Sequence, residues 1–187
     1  MVAWAKRLAT LGPVRAFDYD YQREGRKRPD PLARLVERHG HELAVELGAH
    51  DRVILAGKSM GSRVGCHLAL EPGAERVLGL VCFGYPLVGA STNKPVRDAV
   101  LLASHKPILF VQGTRDPLCP LDRLAEVRAR MTASSELFVV AGGDHSLRVG
   151  KRELAARGQT QDDVDVAILA AVATFCAGLS SSGPSGA

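Results

Sequence analysis

Apolar residues recur along this chain in two rhythms. Spacing by three and four residues predicts helices that bury one face. It occurs at Trp4, Leu8 and Leu11, at Leu32, Leu35, Val36, His39, Leu43 and Leu47, over Met60 to Leu70, over Leu121 to Met131, and at Ile168, Leu169, Val172, Phe175, Cys176 and Leu179. Short, nearly continuous apolar runs predict strands. They occur at Val14 to Asp18, Arg52 to Ala56, Arg76 to Phe83, Lys106 to Gln112 and Glu136 to Val140. The punctuation agrees. Gly12-Pro13 and Pro72-Gly73 end helices, Asp30-Pro31 reads as an N-cap with proline at the first helical position, and Gly48 reads as a C-terminal stop. Tyr19 to Gln22 reads as a polar turn, and residues 87–105 as a short, partly polar connection. Strands alternate with helices throughout, which predicts an α/β fold with a mostly parallel sheet. One domain is expected over residues 1–179, and the Ser-Ser-Ser-Gly-Pro-Ser-Gly-Ala run over 180–187 reads as a disordered tail.

Composition narrows the picture in a few places. The chain has 187 residues, 46% of them hydrophobic but only 5% aromatic, so Ala, Val and Leu must fill most of the core. A formal charge of +4 is too small an excess to argue for nucleic acid. Arg23, Arg26, Lys27 and Arg28 cluster around Gly25 and read as a solvated loop, with a nuclear-import or anion-binding patch as the less favoured reading. No interleaved aromatics support base stacking. Cys66, Cys82, Cys119 and Cys176 show neither zinc spacing nor a disulfide framework. His39 and His41 have no ligand partners at metal spacing and read as helix-surface residues. No run is long and apolar enough to span a bilayer, and no signal peptide is visible. These features predict a soluble, intracellular protein, cytoplasmic or with access to the nucleus, that needs no metal or cofactor.

One stretch carries chemistry. Arg52 to Ala56 leads into Gly57-Lys58-Ser59-Met60-Gly61, and a helix follows. This is G-x-S-x-G between a strand and a helix, where glycines permit a sharp turn that lifts the serine above the sheet edge. The helix N-terminus then faces the serine with free N–H groups and partial positive charge. Sites in open α/β sheets lie beyond the C-terminal strand ends. Two more such ends carry candidate groups, Asp116 after Gly113-Thr114-Arg115 and His145 after Gly142-Gly143-Asp144. Ser59 is then the candidate nucleophile, His145 its base and Asp116 the group that orients the imidazole. The Met60 N–H is a candidate oxyanion donor. Asp144 and Asp122 are weaker candidates for the acid, and His67 reads as structural. Taken singly, Asp116 could shape a turn and His145 could be a polar loop residue. The chain order Ser, Asp, His favours the joint reading.

The runs Gly57 to Arg63, Gly113 to Asp116 and Gly143 to Ser146 resemble an α/β-hydrolase-like family. It is the family of the third NSL histone-acetyltransferase complex subunit and testis-expressed protein thirty, itself similar to dienelactone hydrolases. Phe17-Asp18-Tyr19 and Lys27-Arg28 fit it too. The resemblance implies an α/β-hydrolase fold with a serine triad. In that superfamily a strand ending in a His-Gly-x-Gly or similar loop normally supplies a second oxyanion N–H. It lies between the strands that correspond to Val14–Asp18 and Arg52–Ala56. This sequence has no such loop, so the expectation is an N-terminally truncated hydrolase fold with its first strands absent. The favoured function is a serine hydrolase cleaving a small ester or thioester through an acyl-enzyme. The alternative is a non-catalytic hydrolase-like binding subunit of a protein complex, such as one associated with chromatin. Dinucleotide binding is disfavoured because no G-x-G-x-x-G follows a strand. Substrate, partners and oligomeric state stay open at this level.

Overall fold

The computed structural model describes residues 2–89 and 96–181. Four parallel strands form its sheet, in the order β1 (Val53–Lys58), β2 (Val77–Phe83), β3 (Ile108–Gly113) and β4 (Ser135–Val140). Helices occupy every connection: α1 (Val2–Leu8), α2 (Asp20–Arg23) and α3 (Leu32–Ala49) precede β1. Then come α4 (Met60–Leu68), α5 (Ala99–Leu102), α6 (Leu121–Arg130), α7 (Lys151–Ala156) and α8 (Gln161–Ser181). The expected α/β architecture is present.

Strand alternation divides the core into two layers. Leu80 and Cys82 of β2 and Ile108 and Phe110 of β3 face α3, α4 and α6, where they meet Leu43, Leu47, Cys66, Leu68 and Leu124. Val81, Phe83, Leu109 and Val111 face the opposite way, against Leu8 of α1 and Ile168, Val172 and Phe175 of α8. Trp4 stacks on Phe83 with ring centroids 4.8 Å apart. Since β2 and β3 are covered on both faces, their sequences read as unbroken apolar runs. Burying a side chain of this size stabilises by about 1.5–3 kcal/mol, and these two strands contribute half of the largest fully buried ones.

Several expectations change. Residues 14–18 form no strand. A strand needs a hydrogen-bonded neighbour. This segment runs instead along α3, with Arg15 paired to Glu42 and Phe17 edge-on to the His39 ring. Tyr19-to-Gln22 opens the single-turn helix α2 rather than a plain turn. The N-cap of α3 is Pro31, because the Asp30 carboxylate is held by the Arg26 guanidinium in a two-pronged ion pair. That pair, with Glu24 also on Arg26, partly neutralises the basic loop. Helix α7 has no counterpart in the apolar pattern: it is six residues long and buries only Leu154. Helix α8 runs through Ser181, and the remainder of the segment expected to be a tail, 182–187, lies outside the described residues. Among the described residues, β1 pairs with no strand on the side away from β2, and no helix is long and apolar enough to cross a membrane.

Candidate active site

The site is assembled at the C-terminal ends of the four strands. β1 ends at Lys58, and Ser59 follows with φ 52° and ψ −116°, outside the helical and extended regions. A non-glycine residue at positive φ is strained, and such strain persists only where the surroundings hold it. Here the Ser59 N–H donates to the Phe83 carbonyl at 2.9 Å, and the Ser59 carbonyl accepts from the Ser62 hydroxyl and the Arg63 N–H. Gly57 is required: a Cβ there would overlap the backbone of Gly61 and Ser62 as α4 folds back over the strand. Gly84, just past β2, has φ +57°, and a Cβ on it would lie 2.7 Å from the His145 carbonyl. The β2 exit and the histidine loop are therefore packed backbone to backbone.

Asp116 follows β3 and is 4% exposed. One carboxylate oxygen accepts from the Leu118 N–H at 2.8 Å, and the other accepts from His145 Nδ1 at 2.8 Å and from the Gln112 side-chain amide. The second nitrogen of the same imidazole, Nε2, lies 2.8 Å from Ser59 Oγ. An ionised carboxylate only accepts, so Nδ1 carries the proton toward Asp116. Nε2 is left to accept from the Ser59 hydroxyl. The structure thus brings together the three residues that the strand exits suggested, Ser59, His145 and Asp116, in one continuous hydrogen-bonded chain.

The histidine loop has its own supports. The Asp144 carboxylate accepts from the Ser146 and Arg148 N–H groups at 2.7 and 2.9 Å, which shapes the turn after His145. Leu147 anchors it, 1% exposed at φ 62°. Asp144 is therefore a loop-former rather than the partner of His145. Asp122 sits in the first turn of α6. His67 is on α4, and burial lowers its pKa, with the nearby Arg63 guanidinium adding to the shift.

Met60 and Gly61 stand in the first turn of α4, where backbone N–H groups have no intrahelical acceptor. They face the region just past Ser59, and the dipole of this nine-residue helix adds partial positive charge there. Among the described residues no group of three or more His, Cys, Asp or Glu side chains is arranged to hold a metal ion.

Two residues of this neighbourhood carry more than their sequence positions suggested. Gln112, fully buried, donates to Asp116 and accepts the Tyr85 N–H at 3.0 Å, so it ties the acid to the β2 exit loop. Its signal was a lone polar side chain closing the apolar run of β3. His39 is not on the helix surface. It is 9% exposed, with Nδ1 3.2 Å from the Tyr19 hydroxyl and its ring edge-on to Phe17. Burial pushes its pKa down to about 4, the nearby Glu42 carboxylate opposing and the Arg38 guanidinium adding to the shift.

The comparisons with known proteins bear on the fold. The chain is similar to an α/β serine hydrolase homologue from Coxiella burnetii (20% identity, TM-score 0.56, 78% of this chain and 67% of the other). It also resembles a CIB-like hydrolase from Thermoplasma acidophilum (20%, 0.51, 81% and 63%). A third is a protein described as a YdeN-like hydrolase from Pectobacterium atrosepticum (21%, 0.62, 94% and 81%). The chain spans about two thirds of the length of the first two. Identities this low speak for the fold alone. The profile described as "Alpha/beta hydrolase domain" matches residues 1–177, nearly the full length, and the chain belongs to that α/β-hydrolase family.

Proposed function

We propose that this protein is a serine hydrolase that cleaves an ester or thioester through an acyl-enzyme. The observation that carries the reading is the unbroken chain from Ser59 Oγ through His145 to Asp116, with 2.8 Å at each imidazole nitrogen. In the first half-reaction Ser59 Oγ attacks the substrate carbonyl as His145 Nε2 takes its proton. Asp116 holds the tautomer and stabilises the imidazolium. The Met60 N–H and the α4 N-terminus stabilise the developing oxyanion. His145 then gives its proton to the leaving alcohol or thiol. In the second half-reaction water, deprotonated by His145, releases the acid and restores Ser59. Each group acts from a separate strand exit, which supports the reading further.

Within the family, we assign the chain to the branch of the NSL complex subunit and testis-expressed protein thirty, on the run Gly57 to Arg63. The buried thiols of Cys66, Cys82 and Cys119 favour a reducing compartment such as the cytoplasm. The test is labelling with a fluorophosphonate probe. The wild-type chain should label and Ser59→Ala should not. Absence of labelling, or equal labelling of both, would overturn the proposal.

A further inference from the structure

Lys58 immediately precedes the serine and closes β1. Its ammonium reaches across to the histidine loop and donates to the Ser146 hydroxyl at 2.9 Å. It forms no ion pair among the described residues, and the nearby carboxylates are committed elsewhere. Asp116 is held by His145, Gln112 and the Leu118 N–H, and Asp144 by two backbone N–H groups. A second cation on the same turn is also unmatched. Arg63, four residues past Ser59, has a buried Nε with no hydrogen-bond partner among the described residues and lies within electrostatic reach of Tyr85. Arg97, whose guanidinium donates to the Pro86 carbonyl at 3.4 Å and forms no ion pair among the described residues, adds a third cation at the β2 exit. Most other arginines of this protein meet carboxylates: Arg7, Arg15, Arg26, Arg38, Arg115, Arg130 and Arg157 all do.

The positions also give a direction. Met60 opens α4 directly after Ser59, and its N–H is the oxyanion donor of the hydrolase reading. The Lys58 ammonium is held instead by Ser146, the residue next to His145, which in that reading protonates the leaving group. From this arrangement we infer that Lys58 is a specificity-determining residue that binds an anionic group, a carboxylate, carried on the leaving-group side of the ester. The inference rests on the hydrolase reading above. The Ser146 hydroxyl holds the ammonium in place, so little side-chain freedom is lost when the carboxylate arrives. A charge-assisted hydrogen bond forms, and the half-exposed setting discounts it for solvent.

The test compares two acetyl esters that yield the same acetyl-enzyme, 4-acetoxybenzoate and 4-acetoxybenzamide. Deacylation is common to both, so the ratio of their kcat/KM values reports the leaving-group side alone. The wild-type chain should prefer the carboxylate by about tenfold at low salt, with the preference shrinking as ionic strength rises. Lys58→Met should abolish that ratio and Lys58→Arg should retain most of it. A wild-type ratio near one, or a Lys58→Met variant that lowers both esters equally, would overturn the inference. Fluorophosphonate labelling separates the two failures. Labelling without a carboxylate preference removes only the role of Lys58, whereas no labelling and no turnover of either ester removes the hydrolase reading together with it.

Discussion

Replacing His39 by asparagine should remove a pH dependence from the stability of this protein. The ring is buried under α4, and its pKa of about 4 in the folded chain compares with about 6.5 when unfolded. Between those two values the unfolded chain binds a proton that the folded chain refuses. Stability contributed by the neutral ring is therefore fully present above about pH 6.5 and is lost as the pH falls toward 4. A shift of this size corresponds to about 3 kcal/mol, taken as an upper figure. The groups facing the ring are the Tyr19 hydroxyl, the Phe17 edge, Glu42, which favours the charged form, and Arg38, which opposes it. Asparagine keeps a polar atom near the place of Nδ1, and its lower helix propensity is a cost that does not vary with pH. Urea unfolding of both chains at a series of pH values from 7.5 to 4 gives the test, because carboxylates elsewhere cancel in the difference. The stability advantage of wild type over His39→Asn should shrink by about 2–3 kcal/mol across that range. A difference that stays constant with pH would refute the reasoning.

Three further outcomes are expected. Gly57→Ala forces a Cβ into the Gly61–Ser62 backbone and should cost about 1–3 kcal/mol in thermal or urea unfolding, with loss of fluorophosphonate labelling. Gln112→Leu leaves the buried Tyr85 N–H unpaired and withdraws a donor from Asp116. It should destabilise by about 1–3 kcal/mol and lower kcat for an acetyl ester more than it changes KM. Asp116→Asn removes the acceptor that fixes the His145 tautomer, and turnover should fall by about 10⁴-fold while urea unfolding still shows a cooperative transition.

What the sequence made legible follows from how local each feature is. The turn at Ser59 could be read because its requirements are contiguous: an apolar strand, two glycines and a helix start. Asp116 and His145 could be read because each closes an apolar run, and strand exits converge in a parallel sheet. Residues 14–18 were misread because a strand is a property of two partners, and the apolar pattern describes only one. His39 was misread for a related reason. The aromatic rings that bury it, Phe17 and Tyr19, come from a separate segment, so helical spacing alone left the histidine on the surface. Gln112 was passed over because one amide at the end of a strand resembles the beginning of a loop.

The placement of β1 has a consequence for how the molecule would lose function. Its hydrogen bonds to β2 begin at the Val53 N–H and end at the Ser59 N–H, so by alternation the peptide groups of Ile54, Ala56 and Lys58 point to the unpaired side. Ser59, the candidate nucleophile, therefore hangs from a strand that, among the described residues, is hydrogen-bonded along one margin. Asp116 follows β3, at the interior of the sheet, and His145 follows β4, the opposite margin. Fraying of a margin requires less free energy than unfolding of the whole domain. Warming would separate Ser59 from His145 while the Trp4–Phe83 stack is still intact, so catalysis would melt before the fluorescence of the core does.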